Sequence, residues 1–354
     1  MNTKPFFFDL TLDALKAELK TLGLPEFRAK QLFQAFYGEL VSSVEEVTTL
    51  SKDLRQSLTD KMDFSRLKRI EHLQSTDRET AKMLFGLIDG RAIETVLMHY
   101  DERQTLCIST QAGCAMGCVF CATGQMGFAR NLTSGEIVEQ VLHFARELKK
   151  TGQNVTNIVI MGMGEPFHNY DAVMTAVDLL NDPLGLNLGA RRITISTVGL
   201  VPEILRFAEE KRQVNLAISL HAANDELRAS LLPIDRKYPL YELMQACREY
   251  INITHRRLTF EWALISDVND QDKDAYELVK LLKGMICHVN IIQLNPTKKY
   301  RGKTPSHERA LAFQAILTES GIPCTIRLRR GIDIHAGCGQ LAQHQRKSEK
   351  TEMI

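Results

Sequence analysis

Apolar residues recur at helical spacing over the first part of the chain. This spacing predicts one helix over 10–22, ending at Gly23, and a second over 26–37. Both segments are about as long as a typical globular helix. We therefore expect residues 1–75 to form a small helical N-terminal accessory domain.

Residues 76–105 change to a strand-like pattern. The apolar runs 83–88 and 92–98 flank the dipeptide Asp89-Gly90, which is typical of a two-residue hairpin turn. We expect this region to be a β-hairpin that links the N-terminal domain to the rest of the chain.

From residue 106 onward, short apolar strands alternate with amphipathic helices, which indicates a parallel sheet. At least six strands fit, and the spacing agrees with a complete eight-stranded barrel or a partial one. In either, ligands bind at the carboxyl ends of the strands. We expect a core at 106–300, a C-terminal extension at 301–341 and a flexible tail at 342–354. The strands are predicted at 106–109, 157–161, 192–197, 214–220, 258–264 and 289–294.

Composition and charge bound the class of protein. The 354 residues are 44% hydrophobic and 25% charged, ordinary values for a globular chain, and contain no run of eighteen apolar residues. The start of the chain lacks the features of a signal peptide, so we expect a cytoplasmic protein that does not contact a membrane. The net charge of +1 favours no partner. Eight basic and two acidic residues between Pro296 and Arg330 fit either phosphate binding or a solvated surface.

The strongest chemical motif is a cluster of cysteines. Cys114, Cys118 and Cys121 follow the first predicted strand of the β/α series with the spacing C-x3-C-x2-C, and nearby glycines permit tight turns. Three thiolates leave one iron of a [4Fe–4S] cluster without a protein ligand, and that iron can chelate a substrate and pass it an electron. The alternatives are a zinc site with a distant fourth ligand, or unrelated buried cysteines.

This motif resembles that of the radical S-adenosylmethionine (SAM) superfamily, including the aromatic Phe120 before the last cysteine. The resemblance implies an α/β fold built on a partial (β/α)6 TIM-like barrel. Residues 161–166, at the end of the second strand, resemble the Gly-Gly-Glu motif that binds the amino group of SAM, although Met163 replaces one glycine. Glycines let a ligand approach closely, and a carboxylate can hold an ammonium group.

Further motifs narrow the resemblance and cover about 26–341. Together they are similar to the dual-specificity RNA adenine-C2 methyltransferases, the RlmN family. This implies a [4Fe–4S] cluster and two SAM molecules per turnover, with an electron donor such as flavodoxin or ferredoxin. The implied substrates are an adenosine in the peptidyl-transferase region of 23S rRNA and one in tRNA anticodon loops. We expect a monomer. The segments that carry the similarity are 106–114, 121–128, 130–133, 161–166, 219–222, 295–296 and 337–341.

The resemblance also implies roles for residues outside the cluster. C2 of adenine is electron-poor, so the family first methylates a cysteine thiolate, here Cys338, and a 5′-deoxyadenosyl radical then removes hydrogen from that S-methyl group. The methylene radical adds to the base. Glu94 matches the base that takes the ring proton, and Cys107 matches the cysteine that releases the product by forming a disulfide with Cys338. The matching SAM contacts are Gly164, Glu165, Ser196, Ser219, His221 and Asn295.

Two regions are candidates for RNA contact. In the N-terminal domain, Arg28 and Lys30 lie beside Phe27 and Phe33, and the basic stretch after residue 296 is the second region. The target base must be unstacked to reach Cys338.

Each of these assignments has an alternative in which the residue has only a structural role. Cys107 and Cys338 could be inert core thiols, Glu94 a solvent-facing strand residue and Ser196 an ordinary strand hydroxyl. Two other functions also stay open. One is C8 methylation of the same rRNA adenosine, as in the related Cfr group, and the other is a non-catalytic iron–sulfur or zinc protein that binds RNA.

Overall fold

The structure is a computed structural model that describes residues 4–342. Its N-terminal region contains the helices α1 (Leu12–Thr21), α2 (Arg28–Phe33) and α3 (Lys52–Lys61). A π-helical turn, Gln34–Glu39, continues α2. The two predicted helices are therefore confirmed, and α3 is an addition.

An antiparallel meander follows the N-terminal helices. It consists of β1 (Lys68–Gln74), β2 (Thr80–Gly86), β3 (Ala92–Tyr100) and β4 (Arg103–Cys107). The predicted hairpin is confirmed, since β2 pairs with β3 and Gly90 in the turn has φ +81°. Although the sequence assigned the residues of β1 to the helical domain, they form the edge strand of the sheet, and their largely exposed pattern lacks an apolar alternation.

The sheet continues from β4 with parallel strands. The six predicted parallel strands are confirmed, and a seventh was missed because it has only three residues. A separate pair, β5 and β6, carries the cysteine loop between its strands. The further strands are β5 (Gln111–Gly113), β6 (Phe128–Asn131), β7 (Asn157–Ile160), β8 (Ile193–Thr197), β9 (Asn215–Ser219), β10 (Leu258–Leu264), β11 (Cys287–Gln293) and β12 (Cys324–Ile326).

Seven further helices connect these strands, and their apolar faces join the core of the sheet. In the part of the chain that the structure describes, none is long and apolar enough to cross a membrane. The helices are α4 (Ser134–Lys149), α5 (Tyr170–Asn181), α6 (Val201–Glu209), α7 (Asp225–Leu231), α8 (Leu240–Thr254), α9 (Asp272–Leu282) and α10 (His307–Glu319).

The sheet curves into a partial barrel. Met98 of β3 and Thr105 of β4 line the same cavity as Asn290 of β11 and Thr325 of β12, so the two ends of the sheet face a common interior. This arrangement is the partial (β/α)6 TIM-like barrel that the resemblance implied, with one extra parallel strand.

The chain after β12 crosses the gap between the two ends of the sheet. Asp333 accepts hydrogen bonds from the backbone N–H and the hydroxyl of Thr76, at 2.8 and 2.9 Å. Arg330 pairs with Glu79 beside the start of β2. The C-terminal extension therefore joins the two edges, whereas the predicted flexible tail lies, beyond its first residue, outside the described residues.

The N-terminal helical region is attached to α4. Asp9 accepts a hydrogen bond from the backbone N–H of Gly135 at 2.8 Å, and Glu139 accepts from the N–H groups of Arg66 and Leu67 at 2.9 and 3.1 Å. These carboxylates place the helical region against the first helix after the cysteine loop. The division of the chain into domains stays a prediction.

Candidate active site

The three cysteines of the motif line one cavity at the carboxyl end of the parallel strands. Backbone contacts fix their loop, since the N–H of Cys114 donates to Gly127 and that of Val119 donates to Leu231, at 2.9 and 3.1 Å. A Cβ on Gly124 would lie 2.9 Å from the carbonyl oxygen of Cys118. Only glycine therefore allows the loop to fold back this tightly.

The electrostatics of the loop suit a cationic group. Burial and, to a smaller extent, the charges of Glu165 and Cys121 raise the pKa of the Cys114 thiol to about 12. Burial and the other two cysteines likewise hold the pKa of Cys118 well above its usual range. Three thiolates this close need positive charge, which iron–sulfur clusters provide. Within residues 4–342, no three His, Cys, Asp or Glu side chains form a site for a single metal ion.

All six predicted SAM contacts line the cavity of the three cysteines, namely Gly164, Glu165, Ser196, Ser219, His221 and Asn295. Glu165 is buried, and its carboxylate accepts hydrogen bonds from the backbone N–H groups of Phe167 and Val198 at 3.0 and 2.9 Å. Burial raises its pKa to about 7. Gly164 has φ +110°, and a Cβ there would lie 2.7 Å from the side chain of Gln111. The arrangement fits a carboxylate that binds the ammonium group of a ligand.

His221 lies just past β9 in the left-handed backbone region, and its Nδ1 accepts a hydrogen bond from the N–H of Ala263 at 2.9 Å. Burial and then the charge of Arg228 lower its pKa to about 3. The imidazole is therefore neutral, with its proton on Nε2, from which it can donate to a ligand. Arg228 donates to the carbonyls of Val198 and Leu220 at 2.8 and 3.2 Å, which fixes the ends of β8 and β9.

Cys338 borders two cavities. It lines the one that holds the three cysteines and a second one that also contains Cys107. The side chain of Asn295 donates to the carbonyl of Cys338 at 3.1 Å, and the N–H of Ala122 donates to the carbonyl of Gly339 at 2.7 Å. The Cys338 loop is thereby fixed between the predicted SAM contacts and the cysteine motif, although Cys338 as a whole residue is exposed.

Cys107 and Cys338 both line the second cavity and are close enough to interact electrostatically. Burial and, to a smaller extent, the charge of Cys338 raise the pKa of Cys107 to about 12, while the charge of Arg327 acts in the opposite direction. Burial also raises the pKa of Cys338, again against Arg327. All eight cysteines are free thiols. The structure thus brings the two outlying cysteines together in one cavity.

Glu94 differs from the other predicted residues, because it lines neither cavity. It is 1% exposed on β3, its Oε1 pairs with Lys82 at 3.0 Å, and its Oε2 accepts from the N–H of Ala342 at 2.9 Å. Glu94 is therefore not a solvent-facing strand residue, which was the structural alternative for this position. Its role as a base stays a prediction.

Sequence reasoning missed two charged residues at the site. Glu261 lies in the middle of β10, lines the first cavity and has one carboxylate oxygen without a hydrogen-bond partner. Arg327 lies 3.5 Å from that oxygen. A charged residue inside the apolar strand 258–264 was a usable signal for Glu261, whereas Arg327 follows a strand that was not predicted. Of the candidate RNA contacts, Phe33 is buried in the core, and Phe27 is exposed beneath the guanidinium of Arg28.

Comparisons with known proteins agree with this geometry. The profile of the Radical SAM superfamily matches residues 108–279, and that of the "Ribosomal RNA large subunit methyltransferase N-terminal domain" matches 7–63. A crystal structure of a radical SAM methyltransferase from Sphaerobacter thermophilus is similar with a TM-score of 0.94 and 51% identity. The match covers 96% of this chain and 100% of that one.

Curated relatives extend over nearly the whole chain. The "Dual-specificity RNA methyltransferase RlmN 1" of Myxococcus xanthus is 49% identical over 99% of this chain and 98% of its own length. The "Probable dual-specificity RNA methyltransferase RlmN" of Chloroflexus aurantiacus is 48% identical over 95% and 92% of the two chains. Members of the superfamily bind a [4Fe–4S] cluster and SAM, and three cysteines and a glycine–glutamate motif around one cavity fit both. The chain therefore belongs to the RlmN family of dual-specificity RNA methyltransferases, within the radical SAM superfamily.

Proposed function

We propose that this protein methylates C2 of an adenosine in the peptidyl-transferase region of 23S rRNA and of an adenosine in tRNA anticodon loops. The observation that carries the proposal is the position of Cys338 between the two cavities. One cavity contains the cysteine motif and the predicted SAM contacts, and the other contains Cys107. A cysteine at this junction can receive a methyl group from one side and deliver the carbon to the other. Family membership supports C2 over C8.

The three motif cysteines would hold the cluster, and Glu165, Ser196, Ser219, His221 and Asn295 would orient SAM, with Gly164 leaving room for the ligand. When bound, the two groups would supply the electron and the radical that removes hydrogen from a methyl group. The thiolate of Cys338 accepts a methyl group from a first SAM, because a thiolate is a good nucleophile toward carbon. A second SAM would then supply the radical that removes hydrogen from the S-methyl group of Cys338.

The last step is release of the product. The thiolate of Cys107 attacks the sulfur of Cys338, the bond between that sulfur and the methylene carbon breaks, and its electron pair stays with the carbon. The carbon takes up a proton to become the methyl group, and Glu94 accepts the proton that the ring loses. The unpaired electron of the adduct would return to the cluster that supplied it, and a disulfide remains. An external two-electron reductant restores both thiols. We further propose that the protein acts as a cytoplasmic monomer.

Nucleoside mass spectrometry tests the product. Digested rRNA and tRNA from cells that express the chain should contain additional 2-methyladenosine. Finding 8-methyladenosine without 2-methyladenosine would overturn the C2 proposal. Absence of 5′-deoxyadenosine after anaerobic reconstitution with SAM and a reductant would instead indicate a non-catalytic iron–sulfur protein.

Two variants test the cysteines. Cys338→Ala should give neither methylated RNA nor a protein-bound methyl group. Cys107→Ala should accumulate a covalent protein–RNA species, because the adduct forms but is not released. Buried Cys247 on α8 offers a matched control, and Cys247→Ala should leave both signals unchanged.

A further inference from the structure

The second cavity shares Cys338, Cys121 and Asn295 with the cavity of the cysteine motif and extends away from the other SAM contacts. It extends to Arg103, Asn157 and Arg192, which stand at the amino-terminal ends of β4, β7 and β8. The cysteine motif and the SAM contacts lie instead at the carboxyl ends. Together the two cavities extend from the carboxyl ends to the amino-terminal ends of the strands, and Cys338 lines both.

The lining of the second cavity is strongly basic. Within residues 4–342, five arginines line it and no aspartate or glutamate does. Two of these arginines are compensated, since Arg327 lies beside Glu261 and Arg330 pairs with Glu79. The other three have no carboxylate partner among the described residues, namely Arg103, Arg192 and Arg329. Uncompensated charges around a low-dielectric cavity concentrate a positive potential, which attracts anions.

The cavity also offers groups that recognise a nucleobase. Tyr100 lines the cavity, and the guanidinium groups of Arg103 and Arg330 lie over its ring at 5.0 and 4.3 Å from the centroid. The polar side chains of Asn157 and Thr194 also line the cavity. An aromatic ring beside cations is a common stacking surface for unpaired bases, and amides and hydroxyls can bond to base edges.

We infer that this basic cavity, defined by Arg103, Asn157, Arg192, Thr194, Arg329 and Arg330, admits the target nucleotide of the substrate RNA. The unstacked adenosine enters through the amino-terminal mouth of the barrel, and flanking phosphates pair with the uncompensated arginines. The inference rests on the proposed function and adds a path to it. SAM held by the predicted contacts would fill the first cavity, so the carbon acceptor would reach Cys338 through the second one.

The chain offers a closely matched pair of variants. Arg191 and Arg192 are adjacent in the 3₁₀ turn Ala190–Arg192, but only Arg192 lines the cavity, whereas Arg191 donates to Gln213 at 3.3 Å. Both changes to alanine remove one positive charge at the same place in the fold. A difference between them therefore reports the cavity, not net charge or local stability.

The probe is an RNA hairpin of the anticodon-loop type with one unpaired adenosine. Arg192→Ala should bind it roughly tenfold more weakly than Arg191→Ala at low salt, with a correspondingly higher KM for methylation. The slope of log affinity against log salt should be shallower by about 0.7–0.9 for the lost phosphate contact. Formation of S-methyl Cys338 from SAM alone should be unchanged, which separates substrate entry from the SAM site.

A second variant fills the cavity without changing charge. Thr194→Phe on β8 places a ring in the path of the base, so RNA methylation should fall by at least tenfold while Cys338 is still S-methylated. Retained S-methylation shows that the variant is folded. A variant that methylates RNA at the normal rate would contradict an entry path through this cavity.

The remaining outcomes are distinguishable. If the unaltered protein methylates RNA but Arg192→Ala matches Arg191→Ala in affinity, KM and salt slope, the inference alone fails. The arginine variants could instead bind RNA normally and differ only in a slower reduction of their Cys107–Cys338 disulfide by the external reductant. The cavity would then bind an anionic reductant, and the inference is overturned. If the unaltered protein methylates no RNA, the proposed function fails and the inference fails with it.

Discussion

Arg327 connects the two outlying cysteines to the acidic side chain inside the barrel. Its Nη1 lies 3.5 Å from Glu261 and 3.8 Å from the sulfur of Met161, and its charge lowers the pKa of both Cys107 and Cys338. A cation at this position stabilises the thiolate form that both cysteines need for attack. Arg327 is thus a candidate positioning residue for product release.

We predict that Arg327→Gln slows release more than it slows adduct formation. Without the cation the pKa of Cys107 rises, so fewer thiolates attack the Cys338 sulfur at neutral pH. The covalent protein–RNA species should accumulate on denaturing gels, and its rate of release should require a higher pH. Arg327→Lys should recover part of the rate, and the exposed Arg248→Gln on α8 should behave like the unaltered protein. An unchanged pH profile in Arg327→Gln would argue against this role.

His221 predicts how the stability of the ligand-free protein depends on pH. Its pKa in the folded protein is about 3, below the ordinary value of 6.5. Between these two pH values the histidine is protonated in the unfolded chain but neutral in the folded protein. Stability from this residue is present above pH 6.5 and is lost as the pH falls toward 3, by at most about 1.4 kcal/mol per unit.

His221→Asn should make this loss smaller, because an amide oxygen can accept from Ala263 without titrating. Urea unfolding at several pH values between 7 and 4 measures the difference between the two proteins. Parallel loss of stability in both would contradict the assignment of a buried neutral histidine.

The sequence could identify residues whose neighbours along the chain form a motif. The three cysteines, Glu165 and His221 belong to such motifs, and all of them line one cavity. Arg327 and Lys82 could not be identified, because their importance comes from contacts with residues distant in the chain. Lys82, for example, reaches the carbonyl of His335.

At the level of elements, α4 connects the N-terminal helical region to the barrel. Gly135 in its first turn packs against the N-terminal segment, and a Cβ there would lie 2.4 Å from the ring of Phe6 and 2.8 Å from the carbonyl carbon of Phe8. Asp9 accepts from the same N–H group. The attachment depends on the absence of a side chain at this position.

We predict that Gly135→Ala loosens the N-terminal region, at a cost of roughly 1–3 kcal/mol for overpacking. Limited proteolysis should cleave the variant within residues 10–66 faster than the unaltered protein, while 5′-deoxyadenosine formation from SAM persists. Gly189→Ala is the control, since a Cβ there meets nothing within 4 Å. Equal protease resistance of the two variants would show that the close approach does not hold the region in place.

Strand prediction depended on how many faces of a strand are buried. The six interior parallel strands have apolar sequences that stand out from their surroundings, and all six were found. The two edge strands of the large sheet were missed. β1 is largely exposed and rich in polar residues, and β12 has three half-buried or exposed residues, so neither has the apolar pattern that predicts a strand.

At the scale of the whole molecule, the C-terminal segment completes the barrel and carries Cys338 into it. Lys82 and Glu94 hold the end of this segment, since the ammonium group of Lys82 donates to the carbonyl of His335 at 3.1 Å and Glu94 accepts from Ala342. Both side chains are almost completely buried, with exposed fractions of 4% and 1%. This long-range closure could not be predicted from any local pattern, because it joins residues about 250 positions apart.

Lys82→Met should release this closure. Removing one partner of a buried ion pair leaves the carboxylate of Glu94 without a countercharge, which costs about 3–5 kcal/mol. Displacement of the C-terminal segment then becomes favourable, because it lets water solvate the carboxylate of Glu94. Hydrogen–deuterium exchange in peptides covering 331–342 should be faster than in the unaltered protein, and Cys338 should be alkylated faster. Lys68→Met, at an exposed position of β1, should change neither.

The double variant Lys82→Met/Glu94→Gln distinguishes lost charge balance from lost packing. An amide in place of the carboxylate needs no countercharge, yet its oxygen can still accept from Ala342, so slow exchange of 331–342 should largely return. If the double variant exchanges as fast as Lys82→Met alone, the bond from Lys82 to His335 holds the segment, not the ion pair. The double variant should still S-methylate Cys338 from SAM, because the closure lies outside the cavity of the cysteine motif.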